Sequence, residues 1–225
     1  MENILNYPQS TIVNRIVPKT MFYRFMEVNQ RMKSHFVNDV VSINWLYKLS
    51  ASTLNVNDTD NMKEIEVFHA ILKTTEASND IFTFIDTNIP HHIVFVLQYE
   101  DNYMILINYK EWKDNQHQQF NITQSFTSPW VKADQLQLTV EGQSLPRIYD
   151  NFVAQVSGIG EHKAGTMTAI VKYKQAMAQI KSDIDRLEKK MNKEKQFSIQ
   201  MEINKELKAK RKELDKIQNE INKLQ

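Results

Sequence analysis

The chain has no cysteine, and among its 225 residues there are only four glycines and five prolines. Without cysteine it can form no disulfide, offer no thiol nucleophile and build no cysteine-ligated zinc or iron–sulfur centre. That composition fits a reducing compartment, and the expected localisation is cytoplasmic. The stretch Met1 to Gln9 lacks the basic-then-apolar order of a secretory leader. No apolar run approaches the roughly 18 residues that cross a bilayer; the longest, Ile93 to Leu97, has the length of a strand. There is no Gly-x-Ser-x-Gly elbow for a serine nucleophile. Gly158-Ile159-Gly160 lacks the third glycine and the preceding strand of a dinucleotide-binding turn, and no Walker lysine follows it. Neither ATP use by this chain alone nor any cofactor is therefore expected.

What is present starts with the last sixty residues, Thr166 to Gln225, which hold no glycine and no proline. Apolar residues recur there at gaps of three and four, at Ile180, Ile184, Leu187 and Met191, then at Leu207, Leu214, Ile217, Ile221 and Leu224. This spacing predicts a helix with one narrow apolar seam. Such a seam needs a cover: a partner helix, a body to lie on, or its own folded-back half. The two groups occupy different heptad frames, and Phe197 to Ile203 between them alternates with period two. Either the arm folds back near Asn192 to Phe197 as a helical hairpin, or it continues past an irregular insertion. A straight helix of this length would span about 90 Å. Three of the four glycines lie between Ser157 and Gly165, where a linker is expected. The predicted organisation is a globular body over 1–157, a hinge over 158–165 and a helical, coiled-coil-like arm over 166–225.

The charge is divided along the same line. Through His162 there are 12 Lys/Arg against 18 Asp/Glu, and beyond it 16 against 9. An acidic body and a basic arm could bind each other, or the arm could seek an acidic partner or a nucleic acid.

In the body, helices are expected over Lys19 to Val28, Asn29 to Asn38, Glu76 to Asn88 and Leu145 to Val156. Strands are expected over Val40 to Leu49, where Val41, Ile43, Trp45 and Tyr47 alternate with polar residues, and over Glu64 to Lys73. Met1 to Asn14 reads as an extended lead-in, and Ala51 to Asn61 and Asp114 to Gln119 as loops. The clearest unit is His92 to Tyr99 and Tyr103 to Tyr109 around Glu100-Asp101-Asn102, a predicted hairpin. The continuous run Ile93 to Leu97 implies a strand covered on both faces. Weaker strands follow at Phe120 to Phe126 and Leu136 to Val140. The fold class is α+β: a mixed, mostly antiparallel sheet packed by helices, followed by the arm.

Several phrases also carry a family resemblance: Val13-Asn14-Arg15-Ile16-Val17-Pro18-Lys19, Ile43-Asn44-Trp45-Leu46-Tyr47-Lys48-Leu49, Glu64-Ile65-Glu66-Val67-Phe68, Ile89-Pro90-His91-His92-Ile93-Val94-Phe95, Tyr109-Lys110-Glu111, and Glu194-Lys195-Gln196-Phe197 before Glu202-Ile203-Asn204. In this order they resemble a bacterial family catalogued as domain of unknown function 4391. The family has no assigned catalytic residues. The resemblance implies a setting beside helicases and DNA methyltransferases in restriction or antiphage clusters.

Three kinds of site are worth locating. A nuclease of the Asp…(Asp/Glu)-x-Lys type needs two carboxylates on a divalent metal and a lysine near the attacked phosphate. Asp101, Glu111 and Lys113 have that order, and Glu64 and Glu66 share a strand face. His91-His92 invites a metal, although adjacent strand residues point to opposite faces, and His35, His69, His117 and His162 show no ligand spacing. Nucleic acid or a protein partner could be met by Arg15, Lys19, Arg24, Arg31 and Lys33, and on the arm by Lys205, Lys208, Lys210, Arg211 and Lys212. The plain alternative is a solvated helix face, with Glu188, Glu194, Glu206 and Glu213 as partners. Taken together, these features and the resemblance lead to the expectation of a non-catalytic adaptor in a DNA-defence assembly. It would dock a larger helicase or nuclease, with the arm's seam meeting another subunit, a second copy or DNA. A metal-dependent nuclease subunit and a sequence-nonspecific DNA-binding module are the rivals.

Overall fold

The computed structural model describes residues 3–59, 62–114, 119–160, 162–163 and 165–225. The chain divides into two compact units, Met1–Ile159 and Gly160–Gln225.

The first unit is built on one mixed sheet. Its strands are β1 (Ile12–Ile16), β2 (Val40–Ser50), β3 (Glu64–Leu72), β4 (His92–Tyr99), β5 (Asn102–Asp114), β6 (Gln119–Thr127) and the short β7 (Val131–Lys132). They lie in the order β1-β2-β3-β4-β5-β6, with β7 pairing β5. All pairings are antiparallel except β3 with β4. A parallel pair needs a crossover, and helix α4 (Asp80–Asn88) supplies it. The expected hairpin forms with a tighter turn: Tyr99 pairs with Asn102, and Glu100 takes a positive φ of 51°.

Ile93 to Leu97 are all buried, as a strand covered on both faces requires. On one face Phe68, Phe95, Leu97 and Leu106 meet Ile81, Phe82 and Ile85 of α4, with Phe22 from α1 (Lys19–Phe25) and Phe36 from α2 (Gln30–Asp39) in the same cluster. Phe82 and Phe95 pack with ring centroids 5.1 Å apart. On the other face, α5 (Leu145–Ser157) presents Tyr149, whose ring lies 5.9 Å from Tyr109 and whose hydroxyl donates to the Asn108 carbonyl at 2.8 Å. Tyr109 and Leu106 differ by an odd number along one strand, so they face opposite ways.

Several boundaries depart from the sequence reading, each for a local reason. The lead-in contains β1, which pairs with β2 through a register shift between Ile12 and Arg15, with Asn14 at φ 49°. A bulge at the sheet's edge discourages further pairing. The alternation read along Val40 to Leu49 breaks at two register shifts: one between Val40 and Ser42, where Val41 is exposed, and one between Trp45 and Tyr47, where Leu46 is buried; Asn44 is buried between them. The first turn of the presumed 51–61 loop is a helix, α3 (Ala51–Leu54), closed by a reciprocal Ser50–Thr53 capping box. Helix α1 stops at Phe25 because the chain must turn for Asn29 to cap α2, where its Oδ1 accepts from the Met32 amide at 2.8 Å. Helix α4 starts at Asp80, later than Glu76, after turns in which Thr74 and Ser78 hydroxyls accept from the Glu76 and Asp80 amides. Leu136 to Val140 is not a strand. Gln155 of α5 brackets Thr139 instead, accepting from its amide at 2.8 Å and donating to its carbonyl at 2.9 Å. The loop expected between Asp114 and Gln119 falls mainly outside the described residues.

The second unit is a helical hairpin. Helix α6 (Met167–Lys193) and helix α7 (Phe197–Leu224) are each about 40 Å long, so the 90 Å straight arm does not form. Glu194 makes the reversal: its carboxylate accepts from the Lys195 and Gln196 amides at 2.7 and 2.9 Å. The two heptad frames belong to two helices, which is why they never coincided. The period-two look of Phe197 to Ile203 is overridden by the first turns of α7. At the open end, Lys163 closes α7: its amide donates to the Leu224 carbonyl and its ammonium to the Lys223 carbonyl at 2.8 Å. A cation on otherwise unpaired C-terminal carbonyls is favourable in a helix.

Candidate functional site

The arm's apolar seam is covered from within the hairpin. Ile180, Ile184 and Leu187 of α6 pack with Ile203 and Leu207 of α7, and Met191, Ile199, Leu214 and Ile217 pack against that cluster. Ile221 is buried and Leu224 half-buried. The residues expected to await an outside partner therefore have much of their cover in the other half of the arm. Ile203, missed by the sequence reading, completes the α7 series 203-207-210-214-217. Its fourth-residue gap to Leu207 was the available signal.

The cations separate into spent and free groups. Lys19 donates to the Val40 carbonyl, and partial burial lowers its pKa; it is a structural tie between α1 and β2. Arg31 stands 3.7 Å from Asp80. On the hairpin, Arg211 bonds Glu188 at 2.7 Å, across to α6, and Lys210 lies 3.6 Å from Asp183 and 3.4 Å from Glu213. Lys205, Lys208 and Lys212 are exposed and have no acid within ion-pair distance among the described residues.

Arg15 and Arg24 border an unusual surface. Large apolar side chains stand in solvent on β1, α1, α2 and the start of β2: Ile16 (67% exposed), Met21, Phe25 (69%), Val37 and Val41. The Arg24 guanidinium lies 5.4 Å from the Phe25 ring centre, and Lys33 lies 6.0 Å from that of Tyr23. Apolar character alone would place all of these side chains in the core. Phe22 and Phe36 do go there, whereas Phe25 and Val37, one helical turn or one position away, do not.

The carboxylate sites resolve differently. Asp101 lies in the turn before β5 and Glu111 near that strand's far end; ten residues of extended chain separate them by about 33 Å. Asp101 and Glu111 therefore cannot share one metal ion, and the Lys113 side chain lies outside the described residues. Glu64 and Glu66 do come together, at the start of β3. Lys48 reaches Glu64 at 2.7 Å. Burial would raise the Glu64 pKa, but Lys48 and a hydrogen bond with Glu66 hold it below the ordinary range. Burial, and then the Glu64 carboxyl, push Glu66 up to about 8. At neutral pH the two carboxyls thus share a proton, and the buried Glu66 Oε2 has no hydrogen-bond partner.

Near the same end of the sheet, Lys110 of β5 and Asp86 of α4 form a wholly buried ion pair. Lys110 also donates to the Ile89 and His91 carbonyls at 3.0 and 2.7 Å, which fixes the chain entering β4. Nothing in the spacing of a lone Asp and a lone Lys announced this pair. His92 lies between the rings of Phe120 and Tyr149 at 5.4 and 4.5 Å, and burial lowers its pKa to about 3. His91 is half-buried. His69 bonds the Gln98 side chain at 2.8 Å and His35 lies 3.1 Å from Asp39; His117 lies outside the described residues. Among the described residues no three His, Asp or Glu side chains are placed to hold a metal ion, and no helix is long and apolar enough to cross a membrane.

No curated protein and no solved structure matches the chain. A family model described as "Domain of unknown function (DUF4391)" matches residues 5–214, nearly the whole length. With the mixed sheet and all but the last turns of the helical hairpin lying within that match, the chain belongs to the DUF4391 family.

Proposed function

We propose that this chain is a non-catalytic docking subunit of a bacterial DNA-defence assembly of the restriction or antiphage type. The observation that carries the reading is the exposure of Ile16, Met21, Phe25, Val37 and Val41, on elements joined by the Phe22–Phe36 ring contact and the Lys19–Val40 hydrogen bond, with the Arg24 guanidinium over the Phe25 ring. Monomeric surfaces seldom expose several large apolar side chains together, and such patches with a polar rim mark protein interfaces. Buried aromatic anchors flanked by arginine are also where interface energy concentrates. The cationic rim selects an occupant with an acidic border around an apolar socket. We assign that role to a larger subunit, a helicase or nuclease, in keeping with the setting that the family resemblance implies.

The test is co-expression of the chain with the products of its neighbouring genes, followed by purification of the complex. The wild-type chain should co-elute with one large subunit at fixed stoichiometry. The variant Phe25→Glu/Val41→Glu, with an unchanged melting temperature, should elute alone. A complex that survives both substitutions, or the lack of any complex with the wild type, would overturn the reading.

A further inference from the structure

We infer that the outer face of α7 is a binding surface for the phosphate backbone of duplex nucleic acid. This does not depend on the docking role above, because it rests on different residues in the other compact unit. The α7 seam runs through Ile203, Leu207, Lys210, Leu214 and Ile217, which places Lys205, Lys208, Lys212 and Lys216 on the side turned away from it. Their spacings of three, four and four keep them on one stripe. All four are exposed. None has a carboxylate within ion-pair distance among the described residues, whereas Lys210 in the seam and Arg211 beside it are paired with Asp183, Glu213 and Glu188. The cations at and beside the seam hold the hairpin together, and these four opposite it are left unpaired; Lys223, one heptad beyond Lys216, is paired with Glu220 at 2.6 Å and lies outside the stripe. Asp215 is the acid that interrupts the stripe, between Lys212 and Lys216.

The stripe spans about 16 Å at 1.5 Å per residue. A duplex strand presents a phosphate every 3.4 Å or so of axis, so about five phosphates lie alongside such a stripe. Lysine ammonium groups on long stems suit this, since backbone contacts demand charge within reach rather than fixed geometry. No base-reading arrangement accompanies them, so the expected binding is independent of sequence. A helical hairpin presents the four charges without ordering a loop on binding, which keeps the entropic cost of complex formation low.

The test is fluorescence anisotropy of the full chain with a labelled 20-base-pair duplex at 50 and 200 mM salt. Four contacts give a log–log salt slope of about −3.6, a loss of roughly a hundredfold between these concentrations. The variant Lys205→Gln/Lys208→Gln/Lys212→Gln/Lys216→Gln keeps good helix formers at every position, so its circular dichroism should match the wild type. It should lose at least tenfold in affinity at 50 mM salt and most of the salt slope. Arg31→Gln/Lys33→Gln, which removes charge elsewhere, should bind within twofold of wild type. The inference fails if the wild type does not bind at 50 mM salt, or if the stripe variant binds equally well. It also fails if the Arg31/Lys33 variant loses as much. Equal binding of a polyglutamate of matched charge would assign the stripe to an acidic protein and overturn the nucleic-acid reading.

Discussion

Lys110 Nζ lies 2.6 Å from Asp86 Oδ1, with neither side chain exposed at all. The pair ties α4, which crosses between the parallel strands β3 and β4, to β5, the strand next to β4. Burial lowers the Lys110 pKa, and Asp86 opposes that shift. Removing one partner of such a pair strands the other charge without solvent. Lys110→Met should therefore cost about 3–5 kcal/mol, and it also deprives the Ile89 and His91 carbonyls of their donor. Lys110→Met/Asp86→Leu should recover most of the loss, because no charge is then left buried. Urea denaturation of the three proteins measures both steps; a single variant as stable as wild type would show that the pair is not holding the crossover.

Glu66 makes stability depend on pH in the opposite sense to most carboxylates. Its folded pKa of about 8 stands above its unfolded value near 4.5, so the folded chain binds the extra proton. The resulting stabilisation is complete below about pH 4.5 and is lost as pH rises through 8. Thermal midpoints should fall between pH 5 and pH 9. Glu66→Gln, which keeps a neutral side chain of the same shape, should flatten that fall. Equal slopes in the two proteins would mean that Glu64 and Glu66 do not share a proton.

His92 acts at the acid end. Its folded pKa of about 3 lies well below the unfolded value of 6.5, so its contribution is present above 6.5 and is lost as pH falls toward 3. Between 4.5 and 6.5 this loss is opposed by the gain from Glu66. Asp86 and Asp150, both raised to about 6 by burial, act with Glu66, so each variant is compared with the wild type over the same window. Relative to the wild type, His92→Phe, which keeps a ring between Phe120 and Tyr149, should gain stability on acidification there, and Glu66→Gln should lose it. Melting curves at pH 4.5, 5.5 and 6.5 separate the two residues by the sign of the change.

These groups also show how far the sequence could be read. The run Ile93 to Leu97 declared a two-sided strand because five consecutive apolar residues leave no polar face. The seam of α6 and α7 declared helices because its three-and-four spacing has no other outcome. Asp86 and Lys110 declared nothing: each is one charged residue within an otherwise ordinary element, and what buries it comes from strands or helices distant in sequence. Glu66 declared a face shared with Glu64, but not its burial. Likewise β1 could not be inferred from five residues broken by a bulge at Asn14, nor the capping helix at Ala51 from a polar stretch. Phe25 and Phe22 have the same chemistry, and only the packing of α1 on the sheet decides which is inside. The exposed apolar surface, which carries the functional proposal, was for that reason the part least legible beforehand.

Lys210 occupies a position where the α7 heptad calls for an apolar residue. It is half-buried there, 3.6 Å from Asp183 and 3.4 Å from Glu213. Partly exposed pairs of this kind contribute up to about 1 kcal/mol, whereas a leucine at the same place would gain part of the roughly 1.5–3 kcal/mol of full burial. Asp183 would keep Arg186, at 3.0 Å, as a partner. Lys210→Leu should thus raise the melting temperature of the full chain, while Leu207→Ala, which opens a cavity in the same seam, should cost about 2–4 kcal/mol. A polar residue in an apolar seam also fixes register and partner number at a cost in stability. The more stable leucine variant should therefore show self-association in sedimentation velocity that the wild type does not. If Lys210→Leu were both less stable and strictly monomeric, the lysine would be holding the hairpin by its ion pairs, and the seam would not have the heptad geometry assigned to it.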